Sequence, residues 1–140
     1  MTSTALVARG TTIGVGDAAS PEVYTTIANV ESIGGPSSST GDIEITDLSS
    51  TAKEFLLDLV DHGTVSLAVN LDPNNTQHDQ LRSDNAAGTA RNYRITFASA
   101  SPNVTYTFAA RVAEFSQESG VGAPLRVTVG LRVTGAITKA

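Results

Sequence analysis

A mainly β domain, a sandwich or barrel of two antiparallel sheets flanked by one α-helix, is predicted by three features of the sequence. Apolar and polar residues alternate over long runs, most clearly in residues 63–71 and 125–134, which is the period of a strand with one buried face. The apolar residues are mostly Val, Leu, Ile and Ala, and Thr is abundant, a composition that suits pleated surfaces. Helical spacing is confined to residues 76–87 and to a second candidate, residues 51–60. About seven strands follow, at turn spacings typical of a sandwich or barrel. A chain of 140 residues suits one domain spanning the whole of it.

Taken in order, residues 11–15 read as a short strand with Ile13 and Val15 inward, closed by Gly16-Asp17 and a turn ending at Pro21. Residues 22–33 read as one longer strand. Its inward set drifts from Val23 and Ile27 to Val30 and Ile33, a phase change that predicts a bulge. Residues 34–42, GGPSSSTGD, hold no apolar residue, so the reading is a flexible loop or the tip of a protruding hairpin. Ile43 and Ile45 then alternate with Glu44 and Thr46.

Thr51-Ala52-Lys53-Glu54 matches a capping box, which leaves residues 51–60 open to a short helix or an extended arm. The run Phe55, Leu56, Leu57, Leu59 and Val60 is too apolar to lie in water. It packs either on the core, the favoured destination, or against a partner subunit. In residues 63–71, Val65, Leu67, Val69 and Leu71 share a face, and Asp72-Pro73 stops the strand because proline lacks a ladder N–H. A helix over residues 76–87 follows, capped by Asn75, ended by Gly88, with a weak stripe of Leu81, Asn85 and Ala86. Tyr93, Ile95 and Phe97 return to strand period. In residues 104–118, Val104, Tyr106, Phe108, Ala110 and Val112 share a face that Phe115 breaks, again implying a bulge. Leu125, Val127, Val129, Leu131 and Val133 face inward in the last strand, with Arg126 and Arg132 opposite.

The net charge of −5 is unevenly spread. Residues 1–79 carry −9 and residues 80–140 carry +4. Either the halves interleave in one sandwich, or the molecule has an acidic and a basic patch and stacks on copies of itself. Candidate inter-subunit charges are Arg91, Arg94, Arg126 and Arg132 against Glu31, Asp58 and Asp61. With no cysteine, no disulfide framework or zinc finger is possible. The first ten residues lack a basic start and an apolar core, so they read as no signal peptide, and no apolar run is long enough to span a membrane.

Catalytic chemistry finds little material. His62 and His78, the two histidines, lack metal-ligand spacing; they read as a turn residue and a partly exposed helix-face residue. Gly14-Val15-Gly16 is followed by no third glycine and no helix, so it is not a phosphate loop. Asp72, Asn74 and Thr76 imitate a calcium loop, but Gln77 and Ser83 stand where glycine and the bidentate glutamate belong. The triplets beginning at Asn74 and Asn103 match a glycosylation pattern that matters only in a secreted protein. The arginines, Arg111 among them, with Tyr93 and Tyr106 would suit single-stranded nucleic acid only if they converged, and a net acidic chain forfeits phosphate attraction. No catalytic residue, metal or cofactor is expected.

The runs GTTIGVGDAASPEVYTTIANVESI and STAKEFLLDLVDHGTVSLAVNLDP, the helix with its following RITF strand, and the closing RVTVGLRVTGAIT together resemble the tail tube proteins of long-tailed bacteriophages. That resemblance implies a two-sheet sandwich whose copies form hexameric rings, the rings stacking into a hollow tube. It implies a tube built around a tape-measure protein, between tail-tip and tail-terminator proteins, that conducts phage DNA without binding it specifically. The protein would then sit in the virion tail after assembly in the host cytoplasm. Strand edges that endanger a monomer would become the means of assembly. A protruding loop over residues 34–47 would reach the adjacent ring, through Gly34, Gly35, Pro36, Ser37, Ser38, Ser39, Thr40, Gly41, Asp42, Glu44 and Asp47. Phe55, Leu56 and Leu57 are the candidate packing arm. The last strand ends close to Ala140, so no C-terminal decoration domain is expected. The alternatives are a monomeric β-sandwich binding module of a virion and, on this residue inventory, less plausibly a small β-domain enzyme.

Overall fold

The computed structural model describes residues 9–98, 100 and 102–140. The reading of the first residues as no signal peptide therefore rests largely on residues 1–8, outside those described. The described elements run β1 (Thr12–Gly16), β2 (Tyr24–Thr26), β3 (Val30–Gly34), β4 (Ser39–Glu44), β5 (Phe55–Asp61), β6 (Thr64–Asn70), α1 (Thr76–Ala87), β7 (Ala90–Phe97), β8 (Val104–Glu118) and β9 (Arg126–Lys139). A seven-stranded sheet has the order β2-β1-β7-β8-β9-β6-β3, and β4 and β5 form a separate two-stranded hairpin. All the pairings are antiparallel.

Residues 22–33 depart from the expected single strand. They form β2 and β3, which lie on opposite edges of the large sheet. From Thr26 to Val30 the chain can reach at most about 14 Å, so the two edges must come together and the sheet curls towards a barrel. The bridging segment is bonded to both edges: Ile27 donates its N–H to Ile13 at 2.9 Å, and Asn29 accepts from the N–H of Asn70 at 2.9 Å. Asn29 holds φ at 62°, a left-handed conformation that asparagine tolerates better than most residues. The phase drift in the sequence thus marks a crossover rather than a bulge within one strand.

Inside the curl lies one apolar cluster. Ile13, Val65, Leu67, Val69, Tyr93, Ile95, Phe108, Val127, Val129 and Leu131 are all essentially fully buried, as their alternation predicted. Leu125, expected inward with the last of these, is 45% exposed because it precedes β9, which starts at Arg126. The Tyr93 and Phe108 rings stack 6.2 Å apart across the β7–β8 pair. The irregularity between Val112 and Glu114 returns Phe115 to the core side, where it packs on the cluster.

The helix forms where its signals lie. Asn75 Oδ1 accepts from the backbone N–H groups of Gln77 and His78, and Gly88 ends the helix at φ 71°, its N–H bonded to Asp84 O. The face it buries differs from the expected stripe, consisting of His78, Leu81 and Asp84. Asn85 lies at the margin, donating to Val112 O at 3.2 Å. His78 is therefore no partly exposed surface residue. Its Nε2 lies 2.7 Å from Ala28 O and its Nδ1 accepts from Asp72 N at 3.1 Å, so the helix is latched to the crossover between the two sheet edges.

Candidate assembly surface

Within residues 34–47, expected as a flexible loop or the tip of a protruding hairpin, Ser39–Glu44 form one strand of a hairpin. Ser39–Glu44 pairs with Phe55–Asp61, in the register Asp42 to Leu57, Ile43 to Leu56 and Glu44 to Phe55. Both strands leave the barrel through a glycine with positive φ, Gly35 at 100° and Gly63 at 67°. A Cβ at Gly63 would stand 2.5 Å from Ser37 Oγ, so the root accepts no larger residue without shifting. Ser37 N donates to His62 O at 3.3 Å across the root, and Arg132 of β9 meets Asp61 at 3.0 Å. The Arg132 hydrogen bond, followed by the Gly63 N–H, holds the Asp61 carboxyl below its ordinary value.

Of the two forms the sequence leaves open for residues 51–60, the helix does not form and the extended arm does. Thr46 Oγ1 accepts the Glu54 N–H at 2.8 Å, and Glu54 Oε2 accepts from Ser50 Oγ at 3.1 Å, so the groups of the predicted capping box are satisfied in a turn. Asp47 Oδ1 accepts from Ser49 N and from both serine hydroxyls, which lowers the Asp47 carboxyl in turn.

The apolar run does not pack on the core either, against the favoured expectation. Leu57 and Leu59 are 78% and 87% exposed, and Phe55, Leu56 and Val60 are each about half exposed, at 51%, 54% and 51%. Among the described residues β5 pairs only with β4, and the apolar cluster is built by strands of the large sheet, α1 and the crossover. Ile43 and Ile45 add to the same arm and are likewise exposed. Gly35 was expected among the loop contacts rather than at the root, and Gly63 at the root and the tip bonds were missed, because they depend on long-range geometry.

The four candidate arginines are all engaged within the chain. Arg91 Nε lies 2.6 Å from Asp84 Oδ2, which is almost fully buried. Arg126 meets Glu31 at 3.2 Å and Arg132 meets Asp61, both half-exposed pairs. The Arg94 guanidinium sits 4.3 Å from the centre of the Tyr24 ring. Asp58 has no cation within ion-pair distance among the described residues, its carboxylate accepting instead from the Leu59 N–H. No three His, Asp or Glu side chains among the described residues converge on a common point where a metal would sit.

Arg132→Ala is expected to let the Asp61 carboxyl rise back towards 3.8 while leaving the fold in place. Because the folded value is depressed, the pair's small contribution is present near neutral pH and is lost as pH falls through the folded value. An NMR carboxyl titration of wild type and variant reads this directly; an unchanged Asp61 curve would show that Gly63 alone sets it.

A family model described as phage tail tube, TTP, lambda-like matches residues 4–128. Comparison with curated protein sequences finds no match. Among solved structures, a chain of an extracellular contractile injection system, PVC sheath/tube terminator in extended state, superposes with a TM-score of 0.74 at 12% identity, covering 100% of this chain and 99% of that one. A chain from the virion of a native gene transfer agent particle gives 0.71 at 12% identity, with 97% and 99% covered. The SPP1 tail tube gives 0.71 at 11% identity, covering 96% of this chain and 78% of that one. At such identities the superpositions establish the fold alone, the mainly β barrel with its long hairpin and one helix. With the family model matching most of its length, the chain belongs to the lambda-like family of phage tail tube proteins.

Proposed function

We propose that copies of this chain associate edge to edge into hexameric rings, and that the rings stack into the hollow tube of a phage tail, with residues 1–140 acting as one tail tube domain. The observation that carries this is the β4–β5 arm, which holds five large apolar side chains of one strand in water, away from the apolar cluster. A monomer gains nothing from such an arm, whereas a repeating assembly buries it in every copy. β2 and β3, the outermost strands of the large sheet among the described residues, supply the complementary means of joining neighbours side by side. Neighbouring structures described as 6-fold symmetrised or of C6 symmetry support the ring order, and those of a tube terminator and a terminating cap support partners of that kind at the tube end. The role is structural rather than catalytic. DNA in transit, an enclosed tape-measure protein, a tail tip and assembly in the host cytoplasm complete the reading.

Negative-stain electron microscopy of the concentrated protein, alone and mixed with purified tail tips, tests it. Hollow filaments or rings with a central channel and six-fold end views are expected. A protein that stays monomeric under both conditions would overturn the proposal and favour a monomeric binding module.

A further inference from the structure

His78 is 1% exposed where three parts of the chain meet, and its ring is engaged on both sides. The Ala28 carbonyl, 2.7 Å from Nε2, can only accept, and the Asp72 N–H, 3.1 Å from Nδ1, can only donate. One form of the ring answers both, the neutral imidazole protonated on Nε2. A second proton would set an Nδ1–H against the Asp72 N–H, donor facing donor, and would place a charge in a buried position. The Asp72 carboxylate is engaged elsewhere, its Oδ1 accepting from the Asn74 N–H at 3.0 Å.

A charged ring has another place to go. His78 forms part of the wall of a cavity of about 270 Å³, together with Leu71 and Pro73 from the link before α1, Asp79 and Arg82 from α1, and Phe115 and Gln117 from β8. The two charged members, Asp79 and Arg82, pair at 2.8 Å and are both more than half exposed. From β8 the cavity receives an aromatic ring and a neutral amide, and the crossover meets the imidazole through a backbone carbonyl. Asp79 is therefore the carboxylate that the cavity offers to an imidazolium.

We infer that His78 is an acid-sensitive latch: on taking a second proton the ring leaves Ala28 and Asp72 for the cavity beside Asp79, and the crossover that joins β2 to β3 is released. The latch is closed at high pH and opens as pH falls. Two backbone bonds hold the crossover besides the histidine, from Ile27 N–H to Ile13 O and from Asn70 N–H to Asn29 O, each 2.9 Å, and their amides report its opening. On the ring reading above, the same step loosens the outermost strands of the large sheet, so assembled tubes are expected to shed subunits faster in acid. The latch itself does not depend on that reading and is tested on the unassembled chain.

Amide exchange is followed by NMR from about pH 8 to about pH 5, the range over which histidine commonly changes charge, and read as protection factors so that the intrinsic pH dependence of exchange cancels. Protection at Ile27 and Asn70 is expected to fall about tenfold across that range while protection at Val129 in β9 holds. In His78→Gln, whose amide stays neutral, protection at the two sites is expected to be the same at every pH. Asp79→Asn removes the carboxylate from the cavity without touching either bond of the latch, and its crossover is expected to open only at lower pH than in wild type. Flat protection in wild type, or an equal fall in His78→Gln, would overturn the inference. So would a wild-type fall shared equally by Val129, since acid would then be unfolding the whole barrel. An unchanged profile in Asp79→Asn would overturn the cavity as the destination of the charged ring.

Discussion

Leu81→Ala is expected to lower the unfolding free energy by roughly 3 kcal/mol, because a buried leucine leaves a cavity as well as losing its own transfer energy. For a domain of this size that corresponds to a fall in melting temperature on the order of 10 °C. The position is chosen by the structure. Leu81 is 2% exposed and is the one member of α1 in the apolar cluster. The helix is otherwise anchored by polar groups, His78 to the crossover and Asp84 to Arg91. Removing the leucine therefore removes the whole hydrophobic attachment of α1 to the barrel. Circular dichroism melts and urea titrations would read the loss. A cost below about 1 kcal/mol would mean that the polar anchors hold the helix and that the site collapses around the missing methyls.

The distinction between hydrophobic and polar anchoring also explains which parts of the fold were legible in the sequence. β6, β7 and β9 were read correctly because each has one face in the core, and alternation reports that directly. The helix was read from its ends, Asn75 and Gly88, whose roles are local. Its buried face was misread, since a histidine and an aspartate contribute nothing to an apolar stripe. Residues 22–33 were misread for another reason. Alternation shows that a segment is extended, but not that its two halves bind opposite edges of a sheet, and the turn at Asn29 leaves no glycine or proline in the sequence.

The candidate site shows the same boundary. Residues 51–54 satisfy a capping box on paper, yet Thr46, just beyond β4 on the other side of the tip, captures the Glu54 N–H instead. The apolar run that follows was recognised as needing cover, and the error lay in where that cover comes from. A sequence records that a side chain should leave water, not whether its own core takes it in. Here the apolar cluster is built by Val65, Leu67, Val129 and Leu131 among others, and the run is left for another molecule. The arginines were assigned between subunits because charge counts carry no geometry; the register sets Arg132 beside Thr64, three residues beyond Asp61 in sequence, and closes that pair within the chain.

His78→Leu is expected to destabilise the protein by about 2–4 kcal/mol, nearly as much as His78→Ala, although leucine is large enough to fill the space. The side chain is 1% exposed and meets two backbone groups with opposite needs. The Ala28 carbonyl can only accept, so Nε2 carries the proton; the Asp72 N–H can only donate, so Nδ1 is bare. Leucine answers neither, and each group left dry costs about 1–3 kcal/mol. The effect should also be directional. Ala28 lies in the crossover that ties β2 to β3, the two sheet edges through which a neighbouring copy would join. Hydrogen exchange in the variant should therefore accelerate first at the Ile27 and Asn70 amides, which bond across that crossover, before it does in β8 or β9. A leucine variant as stable as wild type would mean that His78 only fills space. One that is destabilised evenly across the barrel would separate the latch from the edges, and with them from the geometry on which ring closure depends.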